Sequence, residues 1–160
     1  MNESTLKTPE TSQKKPWYDP GLRFSCTQCG NCCTGPTGVV YVSDEEAAII
    51  AEYRNMALAD FLEEYCEKKY GRWMLKEVAH EERGLDCVFL RWHARTGKAL
   101  CSIYPVRPTQ CWTWPFWKDN LRSQKAWDNA AKTCPGMSQG GAFIPVQEIR
   151  IRLAKNPKGI

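Results

Sequence analysis

The sequence predicts an α+β fold: a small single-domain, metal-centred fold with short strands, several helices and extensive irregular loops. Three observations lead there. Cys26, Cys29, Cys32 and Cys33 fall within eight residues, a spacing that lets a tightly turned loop aim several thiolates at one point. Short β-type runs, such as Val39–Val42 and Ala99–Tyr104, alternate with amphipathic helical patterns. Pro105, Pro108 and Pro115 interrupt the region between them, which keeps much of the chain irregular.

A chain of 160 residues fits one domain and buries roughly two thirds of its unfolded surface, so size alone does not demand a metal. Nine cysteines are nevertheless far more than packing requires. Residues 1–23 are rich in Lys, Glu, Thr, Ser and Pro without an apolar run, and this places the chain in the cytoplasm, where thiols stay reduced. The odd cysteine count also disfavours complete intramolecular pairing. No stretch approaches the length that spans a bilayer. The net charge of +4 and pI of about 8.6 are mild, and the basic residues are spread out, so nucleic acid is a poor partner.

Taken in order, residues 1–21 read as a flexible tail, with Trp17 and Tyr18 anchoring its end, residues 22–156 as the cysteine-cluster domain, and 157–160 as a C-terminal tail. In the cysteine loop, Gly30, Gly35 and Gly38 supply conformations that side chains resist. Val39–Val42 makes a short strand. Ser43 and Glu46 then form a reciprocal cap for a helix from Asp44, with Val42 and Ala47 in contact across it. Ala47 and Ile50 mark its buried stripe, widened toward the core by Ile49 and Tyr53. A second helix is predicted from Ala57 to Lys69, burying Leu58, Phe61, Leu62 and Tyr65 and ending at Gly71. Cys66 on it is a core thiol. Trp73–Ala79 makes a short strand or a well-packed extended segment. Leu85–Leu90 and Ala99–Tyr104 make a hairpin that sets Cys87 beside Cys101. An irregular segment leads to Cys111, residues 123–132 form a short helix, Cys134-Pro135-Gly136 is a turn, and a last helix starts near Val146 with Ile149, Ile151 and Leu153.

Three cysteines at two-residue spacing followed by a remote Cys-Pro pair match ferredoxin-type [4Fe-4S] ligand arithmetic. That arithmetic assigns one cluster to Cys26, Cys29, Cys32 and Cys134, and a second four-thiolate set to Cys33, Cys87, Cys101 and Cys111. Other partitions stay open, since Cys32 or Cys33 can serve the first set. Zn2+ is the competing metal, because four thiolates satisfy its tetrahedral preference equally well. Trp112, Trp114 and Trp117 crowd around Cys111 as an apolar shell. His80 and His93 read as solvated residues with no chemical role, and Glu45, Glu46 and Glu81 as helix-surface or capping residues. No P-loop, dinucleotide-binding glycine pattern or protease triad is present in the sequence.

The cysteine framework resembles the YkgJ-type cysteine-cluster proteins, also described as a CxxCxxCC zinc- or iron-chelating domain. The matching positions are Phe24, Cys26, Cys29, Gly30, Cys32 and Cys33, then Glu46 and Phe61, then Cys87, Phe89 and Leu90. They continue through Cys101, Ile103, Tyr104, Arg107, Pro108 and Cys111, then Pro115 and Phe116, and end on Cys134, Pro135 and Gly136. Trp112 stands where relatives commonly carry arginine. The resemblance implies a compact α+β or largely irregular metal-centred domain. Some related proteins look like lysine N-methylases acting on flagellin, with an iron-sulfur site and dependence on S-adenosylmethionine.

The leading expectation is a metal-binding protein holding one or two iron-sulfur or zinc centres, with Tyr104, Arg107 and the tryptophans orienting or shielding them. Polar loops near Cys111 leave room for a protein partner or substrate. Two alternatives belong to other classes. One is S-adenosylmethionine-dependent methyl transfer to protein lysine, which the short chain and missing glycine-rich loop disfavour. The other is a zinc-dependent RNA-binding module suggested by mild basicity and aromatic residues.

Overall fold

The computed structural model describes residues 15–157; positions 1–14 of the expected N-terminal tail and 158–160 of the C-terminal one lie outside the described residues. The architecture is α+β, with short strands, several helices and irregular connections. Two hydrophobic cores organise it. The first gathers Val42, Ala47, Ile50, Phe61, Phe89 and Ile103, and the second Phe116, Leu121, Trp127, Met137 and Ile149.

The chain enters through Trp17, which packs at 6.2 Å on Trp127 and donates its indole N–H to Leu121 O at 2.7 Å. Strand β1 (Leu22–Arg23) then pairs antiparallel with the late strand β9 (Phe143–Ile144), tying the start of the domain to its end. After the cysteine loop, β2 (Tyr41–Val42) is the edge of a three-stranded sheet. It is shorter than the expected run from Val39, although Val40 O still accepts the Leu75 amide at 2.9 Å.

Helix α1 (Asp44–Tyr53) begins on the expected reciprocal cap: Ser43 Oγ accepts the Glu46 amide at 3.1 Å, and Glu46 Oε2 accepts the Ser43 amide at 2.9 Å. Its buried face is Ala47, Ile50 and Ala51, whereas Ile49 and Tyr53 are exposed, contrary to the wider stripe read from the sequence. The next segment departs more. Helix α2 (Leu58–Tyr65) stops four residues short of the expected Lys69, and Leu58 is exposed. Residues Cys66–Lys69 become β3, paired with β4 (Arg72–Leu75) around a turn in which Tyr70 and Gly71 both have positive φ. Two consecutive left-handed residues close a two-residue hairpin, so Gly71 is a hairpin glycine and not a helix terminator. Cys66, at the junction, is buried in the first core as expected of a packing thiol.

Strands β5 (Glu77–His80) and β6 (Gly84–Cys87) form a hairpin absent from the sequence reading. The expected strand 85–90 is therefore broken. Cys87 lies opposite Glu77, while Leu90 opens β7 (Leu90–Trp92), which pairs with β8 (Ala99–Cys101). Val88 N–H still reaches Lys76 O at 3.0 Å, but the Phe89 carbonyl is taken by the Ser102 amide at 3.0 Å. The chain switches partners there because Phe89 turns into the core, stacking 5.0 Å from Tyr65 and 6.2 Å from Phe61. Cys87 and Cys101 are thus not cross-strand partners. Strand β8 ends at Cys101, short of the expected Tyr104, which instead opens a single 3-10 turn over Tyr104–Val106.

The segment at Cys111 is helical, as α3 (Thr109–Thr113), where an irregular path was expected. Pro108 is compatible with that because it stands before the helix and removes no internal hydrogen bond. Then follow α4 (Lys118–Leu121), α5 (Gln124–Ala131), the Cys134-Pro135-Gly136 turn and α6 (Val146–Ala154). Ile149 is buried and Ile151 exposed on α6, so only part of its expected apolar set faces the core.

Phe89 is 1% exposed, and its removal leaves a void where sheet, helix and ring stack meet. Phe89→Ala is expected to cost about 3–5 kcal/mol of unfolding free energy, read from the shift in urea midpoint at unchanged slope.

Candidate metal centre

The cysteine loop leaves β1 against the second core and reaches β2 against the first. Between them it is held by backbone hydrogen bonds to segments far along the chain. Phe24 N–H donates to Ala142 O and Ser25 N–H to Gly136 O, both at 2.9 Å. Ala99 N–H donates to Gln28 O and Cys87 N–H to Cys33 O, both at 2.8 Å. Gly35 and Leu85 exchange two amide bonds at 3.1 and 2.8 Å. Each bond contributes on the order of 1 kcal/mol net; together they fix where each thiol emerges.

Two glycines make the close approaches feasible. Gly30 sits at φ +81° with Trp92 and Ala99 against its Cα, so a Cβ there would strike the Trp92 ring. A Cβ at Gly136 would run into Ser25 O. Gly35 also has positive φ, whereas Gly38 does not and needs no glycine on that account.

The loop and its partners leave two thiol-lined cavities. The first, of about 60 Å³, is bounded by Cys26, Cys29, Cys32, Cys134, Phe24 and Trp114. The Cys134 end is brought in by the Ser25–Gly136 bond and by Asn31 Nδ2, which donates to Thr133 O at 2.7 Å. The second is a cleft of about 380 Å³ whose wall carries Cys32, Cys33, Cys87 and Cys111 beside Trp114 and Trp117. Cys101 flanks this group and interacts electrostatically with Cys87 and Cys111. Cys32 and Trp114 line both cavities. Among the described residues no three His, Cys, Asp or Glu side chains form a ready-made metal-holding group; the sulfurs line the walls without closing on a single point.

The thiols perturb one another. Cys32 and Cys33 stand with their Sγ atoms 3.5 Å apart. That hydrogen bond lowers Cys32 to about 7 and, with burial, drives Cys33 far up. Burial pushes the Cys87 thiol up to about 11, and the neighbouring Cys101 sulfur adds to it. Burial likewise raises Cys101, where the Arg107 guanidinium partly offsets it, and raises Cys111 well above the ordinary thiol range. Cys134 is raised by burial and eased by a hydrogen bond from Trp114. Cys66 also rises, to about 11 by burial, but it lines neither cavity. Thiols that resist ionisation in a sulfur-lined, half-buried wall lose their protons most readily to a bound cation.

Three polar side chains that the sequence reading did not assign to the site hold its elements together. Asp86, 4% exposed, accepts from Trp92 Nε1 at 2.8 Å and from Thr34 Oγ1, so it joins the residue after Cys33 to β7. Gln110, 2% exposed, accepts the Tyr41 amide at 2.9 Å and donates to Val39 O at 2.6 Å, setting Cys111 beside the strand that follows the loop. Glu46 uses its second oxygen, Oε1, to accept the Thr109 amide at 2.7 Å and so caps α3 from α1. Glu46 was legible as a local cap and as a position of the family resemblance, and neither disclosed its bond to Thr109. The position of Gln110 beside Cys111 and of Asp86 beside Cys87 was the sole signal for the other two.

The remaining candidates take bland roles. His80 Nδ1 accepts the Glu82 amide at 3.2 Å and His93 Nδ1 the Thr96 amide at 3.3 Å, both within turns, and neither lines a thiol cavity. Trp112 is covered by Lys155, whose Nζ lies 5.1 Å from its ring. Arg107 stacks on Tyr104 at 3.9 Å and donates to Tyr104 O at 2.7 Å.

A family model described as "CxxCxxCC: Putative zinc- or iron-chelating domain" matches residues 25–135. The chain belongs to this family. The matched span runs from one residue before Cys26 to one after Cys134, so every cysteine of both cavities lies within the CxxCxxCC domain. No solved structure matches the chain. The donor set suits the group the family description implies: thiolates, with imidazole and carboxylate absent from the first cavity's wall, are the ligands of zinc and iron-sulfur centres.

Two outcomes follow from this geometry. Asp86→Ala leaves the Trp92 indole N–H without its acceptor and is expected to cost about 1–3 kcal/mol, with Asp86→Asn losing less, as measured by urea unfolding. In metal-free protein, thiolate is the nucleophile, so iodoacetamide labelling of Cys32 is expected to accelerate as pH rises through about 7. Cys66 and Cys87, held protonated to about 11, lag behind it, a ranking that peptide mass spectrometry reads.

Proposed function

We propose that the protein is a YkgJ-type cysteine-cluster protein that binds one or two iron-sulfur or zinc centres through eight thiolates. The observation that carries the proposal is the gathering of cysteines from positions 26 to 134 onto two adjoining cavities. Cys26, Cys29, Cys32 and Cys134 would hold one centre, and Cys33, Cys87, Cys101 and Cys111 the other. The first cavity, at about 60 Å³, is several times the ~10–15 Å³ that one water requires. It suits a multi-atom cluster such as [4Fe-4S] better than a single ion.

Zinc is the second reading, favoured by one distance. Sulfurs on a tetrahedral zinc are about 3.8 Å apart, from a Zn–S length of about 2.3 Å, and Cys32 and Cys33 stand at 3.5 Å; this reading groups Cys32 with Cys33, Cys87 and Cys111, which all line the second cleft, instead of with Cys26 and Cys29. A bound cluster would supply one-electron chemistry, and a bound zinc a cross-link or Lewis acidity. The chain's own part is the same for both. Trp114 and Trp117 keep water from the sulfurs, and Arg107 offsets charge at Cys101 and Cys111. No helix among the described residues is long and apolar enough to cross a membrane, and a cytoplasmic setting would keep all nine thiols reduced. Neither methyl transfer nor RNA binding is needed to account for these cavities.

Anaerobic purification followed by iron, zinc and acid-labile sulfide analysis tests the proposal. Sulfide stoichiometric with iron is expected, and zinc alone selects the second reading. Cys29→Ser is expected to lower the metal content, with the loss confined to one centre where two are bound. Protein that carries no metal and takes none up on reconstitution overturns both readings.

A further inference from the structure

The second cleft is larger than a metal requires. Its volume of about 380 Å³ falls in the range of small-molecule pockets, about 300–1,000 Å³. Cys32, Cys33, Cys87 and Cys111 supply only part of its lining. Much of the rest is apolar, from Val39, Val40, Leu75 and Leu85, with the rings of Trp114 and Trp117 beside them. These two rings meet edge to face at 4.8 Å, and Trp117 is pinned by its indole N–H donating to Gln110 O at 3.0 Å. A pinned aromatic wall is a preformed binding surface.

Charge selects the ligand. Three charged side chains line the cleft: Lys76, Glu77 and Asp119. Lys76 is committed, its ammonium donating to Glu63 O at 2.6 Å and Glu64 O at 3.1 Å. Glu77 is committed as well, accepting from Thr37 Oγ1 at 2.8 Å and from the Gly38 amide at 2.9 Å. The Asp119 carboxylate is solvent-exposed and has no hydrogen-bond or ion-pair partner among the described residues. The cleft therefore combines apolar walls, two aromatic rings and one uncommitted carboxylate.

We infer that this cleft binds a small amphipathic organic cation, its apolar body against the Trp114–Trp117 wall and its charged group toward Asp119. The carboxylate favours the charged group, and the apolar and aromatic lining favours the body that carries it. An anionic ligand would meet two carboxylates, Asp119 and Glu77, against the single ammonium of Lys76, which is turned to the Glu63 and Glu64 carbonyls. The inference deepens the chelation reading only through the cysteine lining, where bound thiolates add negative charge. The tryptophans and Asp119 act without it.

Benzylammonium, benzyl alcohol and phenylacetate are of similar size and differ in charge, and their binding to the full chain can be measured by calorimetry and by the indole N–H resonances of Trp114 and Trp117. Benzylammonium is expected to bind at least tenfold tighter than benzyl alcohol, with phenylacetate weakest. Asp119→Asn should remove most of that preference while leaving benzyl alcohol unchanged, and Trp117→Ala should weaken both. Equal binding of the three probes, tighter phenylacetate, no binding at all, or indifference to Asp119→Asn would each overturn the inference. Running the series on metal-loaded and chelator-treated protein separates the two readings. Asp119-dependent cation binding by a chain that never takes up metal sustains this inference and defeats chelation; a metallated chain with no charge preference does the reverse.

Discussion

The structure depends on the anchoring of one loop at several points. The segment from Phe24 to Gly35 has almost no regular structure of its own, yet it exchanges backbone hydrogen bonds with residues 136 and 142 at one end, 99 in the middle, and 85 and 87 at the other. Cys87 packs against the first core, Leu85 and Ala99 lie in β6 and β8, Gly136 lies in the turn beside Met137 of the second core, and Ala142 immediately precedes β9. A loop closed over such separations loses little more entropy than one closed over short distances, since the cost grows only logarithmically with length. Thiols supplied from positions 87, 101, 111 and 134 can therefore be brought to the loop at modest entropic cost, provided the two cores hold their elements rigid.

This arrangement explains which features the sequence disclosed. Helix α1 was readable from Ser43 and Glu46 because a reciprocal cap is a local interaction. The ligand candidates were readable because two-residue cysteine spacing has few other uses. Residues 57–69 misled because Phe61, Leu62, Tyr65 and Cys66 fit a helical stripe, and only pairing with Arg72–Leu75 turns the last four residues into a strand. Gly71 was compatible with either a helix end or a hairpin turn. Residues 85–90 misled in a related way. The run is apolar enough for one strand, but Phe89 is drawn into the first core, and the ladder changes partner at that point. Tertiary packing decided both cases, and neither deciding contact is local.

The polar side chains that hold the site were the least legible. Asp86 and Gln110 are single residues with no motif around them, and their partners lie at Thr34, Trp92, Val39 and Tyr41. In a low-dielectric interior such groups are costly if unpaired and specific when paired. Each allows one arrangement of the segments it joins. Asp86 sets the loop against β7 just past Cys33, and Gln110 sets α3 against the strand just before Cys111. The hydrophobic cores hold the elements together, and these bonds fix their relative position to the precision a ligand set requires.

The adjacency of Cys32 and Cys33 then takes on meaning. Their sulfurs stand 3.5 Å apart, so one pair of consecutive cysteines sits where two cavities adjoin, with no connecting segment between them. Here Cys33 lines only the second cleft, whereas Cys32 borders both cavities. The turn that separates them is closed by the Cys33 amide on Gly30 O at 2.7 Å, with Gly30 held in a left-handed backbone beneath Trp92. A side chain at position 30 would push against that ring and shift the turn, and every sulfur after it would move relative to Cys134 on one side and Cys87 on the other. The glycine within the cysteine motif thus has a structural reason that the cysteines alone do not provide: it sets the point at which a single loop divides its thiols between two cavities.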